Sequence, residues 1–290
     1  MKKPEFWLLL FLPAMALAQS KTTPAATVAA PAPASQYAWL SAGQYNAKQT
    51  LAARFAPPVG AARVPAPAGS FGAWLRYLPL LPAGAAVHLH NGQLKNPQTV
   101  HAAVVRIDVG SRDLQQCADA VIRLRAEYLF GQNPDKVHFH LTSGHDIWFS
   151  DWYAGKGFRV TGEEVESVAK AVEQPTHAVF RRYLDQIFTY AGTRSVEREM
   201  QPAALATLQP GDAFIKGGSP GHAVLVLDVS MNPQTGKRYF LLAQSYMPAQ
   251  EIHVLRNLQN PKLSPWYELD EKTWLETPEW SFTPTQLRRF

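Results

Sequence analysis

Three side chains, in the order thiol, imidazole, amide, carry the chemistry this sequence can offer. Cys117 is the only cysteine among 290 residues. His222 follows 105 residues later, at the head of the apolar run HAVLVLDV and directly after Gly217-Gly218-Ser219-Pro220-Gly221. Gln244 stands in the next apolar run, YFLLAQS. Acyl transfer by a thiol needs a sulfur nucleophile, a base beside it, and a group that holds the base in one tautomer. Cys117, His222 and Gln244 supply those three roles in that order. Gln116, or Gln115, together with the Cys117 backbone N–H would donate to an oxyanion. Gly218 and Gly221 would let a substrate backbone come close, and Ser245 would line the same place. The plainer reading of a lone cysteine is a small core residue.

The elements around these residues must bring them together. Asp113-x-x-Gln116 has the spacing of a capping box, and Cys117, Ala120, Val121, Leu124 and Tyr128 form one helical stripe. A helix from Asp113 to Gly131 follows, with the thiol in its opening turn, where the helix dipole lowers a thiol pKa. Arg123 and Glu127 are spaced to pair on the polar side. The run from His222 to Val229 reads as a buried strand, with His222, Val224, Val226 and Asp228 on one face if it alternates. Asp228 then lies about 20 Å along the strand from His222, too far to orient it. Tyr239–Ser245 is the hairpin partner; pairing Asp228 with Tyr239 sets His222 opposite Ser245, with Gln244 beside it. Gln244 shares a face with Phe240 and Leu242, a polar break in an apolar pattern.

Elsewhere the spacing predicts a short helix over 70–78, strands over 87–90, 103–109 and 136–141, and irregular packing of the aromatic-rich 145–153. Thr161-x-x-Glu164 reads as a helix start, a second helix follows Pro175, and one more turn falls at 195–200. Short strands are expected at 213–215 and 252–255. Residues 36–68 read as an irregular arm, and the proline-broken tail with Trp266, Trp274 and Trp280 as a surface wrap. The sum is an α+β fold.

At the N-terminus, Lys2 and Lys3, the apolar run FWLLLFLPAM and Ala16-Leu17-Ala18 have the order of a secretory signal, over residues 1–18. Residues 19–36 read as an Ala/Pro-rich linker, and 37–290 as one α+β domain. The apolar run is too short to span a bilayer, so no integral membrane segment is expected after cleavage. Localisation is therefore expected to be exported, periplasmic or secreted. The charge of +5 (28 basic, 23 acidic) becomes +4 without Lys2, Lys3 and Glu5. The basic residues are scattered and no nucleic-acid motif is present, so nucleic acid is not an expected partner. No cofactor is implied. His88/His90 and His138/His140 are His-x-His pairs, the spacing by which a strand offers two ligands to zinc, but no third ligand is placed by sequence.

Pro210-Gly211-Asp212 followed by Gly221-His222 and an apolar strand resembles the histidine-bearing half of papain-like cell-wall amidases and endopeptidases. QCADAVIRLRAEYLF, PGDAFIKGGSPGHAVLVLDV and LLAQSYMPAQ together resemble an uncharacterised family of exported bacterial proteins known only as a domain of unknown function, over about Ser70 to Tyr267. The papain-like resemblance implies a core in which a Cys-bearing helix packs on an antiparallel sheet bearing His, here with a helical insertion between Val160 and Met200. It implies a thiol hydrolase or transferase acting on an amide bond, with a peptide or peptidoglycan-like substrate. The Asp-Cys-Ser-Gly signature common in cell-wall endopeptidases is absent. Two further readings stand beside it: a non-catalytic envelope protein that keeps the fold, and a zinc-dependent envelope hydrolase.

Overall fold

The computed structural model describes Met1 and residues 36–290; the rest of the expected signal segment and nearly all of the linker lie outside the described residues. The helices are α1 (Leu51–Arg54), α2 (Phe71–Arg76), α3 (Cys117–Gln132), α4 (Phe149–Tyr153), α5 (His177–Tyr190) and α6 (Thr193–Glu199). The strands are β1 (Ala62–Arg63), β2 (His101–Val104), β3 (His138–His140), β4 (Asp146–Trp148), β5 (Lys156–Thr161), β6 (Glu164–Ala169) and β7 (Gln201–Pro202). They continue as β8 (Ala213–Lys216), β9 (His222–Met231), β10 (Arg238–Gln244), β11 (His253–Leu255), β12 (Leu275–Glu276), β13 (Ser281–Phe282) and β14 (Leu287–Arg289). The main antiparallel sheet runs β2-β11-β10-β9-β8-β14-β7, with β1 on the far end of β9. Helices plus antiparallel sheets make this a mixed α+β protein.

Strand β9 is the axis of the molecule. Ala223, Leu225 and Leu227 pack into the core formed with α2, α3, α5 and α6. Val224, Val226 and Val229 pack into a second core with Phe240, Leu242, Tyr267, Leu275 and Phe282. Both faces are covered, which is why the sequence there is a continuous apolar run rather than an alternating one. Each such fully buried valine, leucine or phenylalanine contributes about 1.5–3 kcal/mol of transfer free energy.

The β9–β10 pairing corrects the expected register. Tyr239 pairs with Ser230, Phe240 with Val229 and Leu241 with Asp228, then Leu242 with Val226 and Ala243 with Leu225. Leu227 is therefore an extra residue, a β-bulge. Carried one residue further, this register sets Gln244 opposite Val224, on the face of His222. Without the bulge Gln244 would fall opposite Leu225 and turn to the helices. The same bulge turns Asp228 to the helical side, where Arg63 and Arg76 hold it, so Asp228 does not share His222's face.

Other expectations are corrected as well. Thr161-x-x-Glu164 starts no helix: β5 and β6 form a hairpin across Gly162-Glu163, with Val160 opposite Val165 and Gly162 at φ +64°. The positive φ that glycine allows lets the chain turn in two residues. The stretch expected to be a helical insertion is thus a hairpin followed by α5 and α6. Arg123 and Glu127 do pair, at 2.8 Å, but both are fully buried, because α3 is covered on nearly all sides. Of the strands expected at 87–90 and 103–109, the first makes only isolated bridges and the second is β2, which begins at His101. Residues 145–153 are ordered as β4 and α4. The arm holds α1 and β1, and the tail is structural rather than a wrap: Trp266 is buried, Tyr267 pairs with Phe240, and β14 extends the sheet from β8. Prolines hid these short pairings by breaking any period. Among the described residues no helix is long and apolar enough to cross a membrane.

Candidate functional site

Helix α3 begins at Cys117 itself, with Gln116 as N-cap in extended backbone, past the Asp113 cap that the spacing suggested. Asp113 does not cap it. Asp119 caps it from inside the helix, its Oδ2 accepting the Gln116 backbone N–H at 3.0 Å. The thiol thus stands at the first helical position, where backbone N–H groups have no helical acceptor. The N–H groups of Ala118, Ala223 and Cys117 itself are directed to the sulfur. Ala223 follows His222, so the start of α3 and the start of β9 meet at this sulfur.

His222 is 1% exposed. Its Nε2 donates to Gln244 Oε1 at 2.8 Å, which leaves Nδ1 as the nitrogen able to accept a proton. Gln244 Nε2 in turn donates to Glu279, and Glu279 is paired with Lys95 at 2.5 Å. Aromatic rings enclose the imidazole: Tyr246 lies edge-on at 5.1 Å, with Trp280 at 5.5 Å and Phe282 at 6.0 Å. Lys95 sits 5.6 Å above the Tyr246 ring.

The electrostatics differ from those expected of a helix-activated thiol. Burial, and then Asp119, push Cys117 up to about 11, against the three N–H groups that pull it down. Asp119 is itself raised well above the usual carboxylate range by burial, and in its protonated form it exerts no push on the thiol. Burial is therefore the dominant cause. Desolvation lowers His222 to about 4, opposed by its bond to Gln244 and by Glu279. Near pH 7 the pair is a neutral thiol and a neutral imidazole.

The sequence-derived residues thus fall into two groups. Cys117, His222 and Gln244 are brought to one place. Gln116 is adjacent, but its side-chain amide donates to Asp113 at 3.1 Å. Gln115 is fully buried, and its Oε1 accepts from Arg123 at 2.9 Å. Ser245 is also buried, its hydroxyl spent on the carbonyls of Gln115 at 2.8 Å and Gln250 at 2.7 Å, so it ties the end of β10 to the loop before the cysteine rather than facing a ligand. Gly218 at φ +128° has both its backbone N–H and C=O on the Thr193 hydroxyl, pinning the loop to α6. A Cβ on Gly221 would lie 2.5 Å from Gly218 O and 2.6 Å from Thr193 Oγ1. That glycine serves close packing ahead of His222, not an open groove.

The His-x-His pairs are not drawn together. His138 bonds Asp146 at 2.8 Å and stacks on Trp148, His140 bonds Glu199, and His88 bonds Glu251. Among the described residues no group of three His, Cys, Asp or Glu side chains could hold a metal ion. Sequence reasoning missed Glu279, Trp280, Lys95 and Tyr246. A glutamate between prolines and tryptophans carries no local signal of burial, and only the fold brings the tail over Gln244.

Comparison with curated proteins and with solved structures finds no match. Comparison with protein families does: residues 51–289 match the family described as Domain of unknown function (4846), and the chain belongs to that family.

Proposed function

We propose that this protein is an exported thiol hydrolase or transferase with a papain-like arrangement, acting on amide bonds of peptides, with cell-wall peptides as the substrate class. The observation that carries the reading is the His222 Nε2 to Gln244 Oε1 bond of 2.8 Å beside a sulfur that receives the next residue's N–H. A base held by one ring nitrogen, with the other left over next to a nucleophile, is what acyl transfer requires.

The steps follow from the neutral pair. His222 Nδ1 takes the Cys117 proton as the sulfur attacks the amide carbonyl, forming the C–S bond and a tetrahedral oxyanion. The Cys117 N–H, and the Gln116 amide once freed from Asp113, donate to that oxygen. The imidazolium returns the proton to the departing amine as the C–N bond breaks, leaving a thioester. Water, or a second amine in the transferase case, then attacks with its proton going to Nδ1, and the thiol is released with the proton returned.

A second reading rests on the near-complete burial of His222 and the raised thiol, both of which suit a non-catalytic envelope protein that keeps this arrangement for packing. Incubating the full mature chain and its Cys117→Ala variant with cell-wall peptides separates the two. Release of new amine termini by the wild type alone supports the enzyme; no release from any peptide, with unchanged thiol reactivity on losing His222, supports the second reading.

A further inference from the structure

The buried polar groups behind His222 form a chain whose direction is fixed at its far end. Lys95 Nζ can only donate, and it lies 2.5 Å from Glu279 with its side chain buried. A carboxylate beside an ammonium can only accept, so the Gln244 group facing Glu279 must be the NH2. The amide oxygen is then forced toward His222 Nε2, which must carry a hydrogen to donate to it. Nδ1 is left unprotonated. Without Glu279 the Gln244 amide could turn over and present NH2 to the ring, which would require the opposite tautomer and put the hydrogen on Nδ1 instead.

We infer that Glu279, anchored by Lys95, is a positioning residue that sets the orientation of the Gln244 amide and through it the tautomer of His222. The inference rests on the reading of His222 as the base to Cys117. Glu279 touches no reacting atom; its effect passes through Gln244. Lys95 neutralises it, which lets a carboxylate sit in a desolvated place without charging the site.

The readout is the tautomer itself, observed through the two ring-nitrogen shifts of His222 in 15N-labelled protein at neutral pH, alongside the iodoacetamide rate of Cys117. The wild type is expected to show only the Nε2–H form. Lys95→Met with Glu279→Gln removes both charges while keeping their shapes, and the amide then at position 279 can accept or donate. This variant is expected to give a mixture of both tautomers and an alkylation rate lower by about tenfold. Gln244→Glu with Glu279→Gln restores the direction, because the amide at position 279 donates to the carboxylate at position 244, and that carboxylate accepts from the ring; a single Nε2–H form should return. If the first variant does not fold, the second with Lys95 intact is read against Glu279→Gln alone. A single Nε2–H form retained in every folded variant overturns the inference, even where His222→Ala still slows alkylation. A tautomer that is lost and restored as described upholds it even if no peptide is cleaved, in which case only the enzymatic reading fails.

Discussion

Strand β9 carries a buried polar side chain at each of two positions six residues apart, and the two are used in opposite ways. Asp228 is fully buried, and its oxygens are saturated: Arg63 Nε donates at 2.6 Å, Arg76 Nε at 2.9 Å, and the Val229 backbone N–H at 2.9 Å. His222 is as deeply buried, its Nε2 is given to Gln244, and the backbone N–H of the next residue, Ala223, is directed to the Cys117 sulfur. A buried group with every valence satisfied holds the fold together. On the proposed reading, a buried group with one valence spare near a nucleophile is prepared for a reaction.

The contrast can be broken from either end. The largest effect should come from Asp228→Ala, which strands two guanidinium groups, one of them almost wholly buried. Denaturant unfolding should show a loss of about 3–5 kcal/mol, while the alkylation rate of Cys117 in the molecules that remain folded is unchanged. A folded Asp228→Ala protein with an altered thiol rate would mean that the two ends of β9 are not separate.

Acid should act next, and through the histidine end. His222 is lowered to about 4 and His253 to about 3, both chiefly by desolvation. Their unfolded-state value is higher, so the unfolded chain takes up the proton first as the pH falls. The stability due to burying them neutral is complete above about pH 6.5 and is lost as pH falls from there toward 4 and 3. Each should contribute a slope of about 1.4 kcal/mol per pH unit within its window. Urea midpoints from pH 7 to 4 should therefore fall steeply in the wild type and by about half that slope in His222→Gln. Equal slopes in the two proteins would show that His222 is not desolvated.

How much of this was legible in the sequence depends on whether a residue announces itself locally. Cys117, His222 and Gln244 could be singled out because each interrupts or heads a regular apolar pattern. The helix, the two long strands and their hairpin were readable for the same reason. The geometry that joins them was not, because it turns on the bulge at Leu227, a residue that looks like any other in HAVLVLDV. The Thr161-x-x-Glu164 helix start failed because a capping box and the flanks of a two-residue hairpin can be written with the same letters. Glu279 was invisible because its meaning lies in what the tail covers. The thiol's acidity was misjudged for a physical reason: position at a helix start lowers a thiol pKa, but burial outweighs it, so the proposed reaction draws on a base rather than on a preformed thiolate.

The central claim is therefore that neutral His222 takes the proton of a neutral Cys117, and the second-order rate of Cys117 alkylation by iodoacetamide as a function of pH tests it most directly. The wild type should react at a nearly level rate from about pH 5 to 7, because the imidazole is uncharged throughout, should rise above about pH 8 where hydroxide ionises the thiol, and should slow toward pH 4. His222→Ala should be slower by about a hundredfold at pH 6 and should climb about tenfold per pH unit as hydroxide alone ionises the thiol. Two superimposable profiles would contradict the account and leave Cys117 a core residue at the start of a helix.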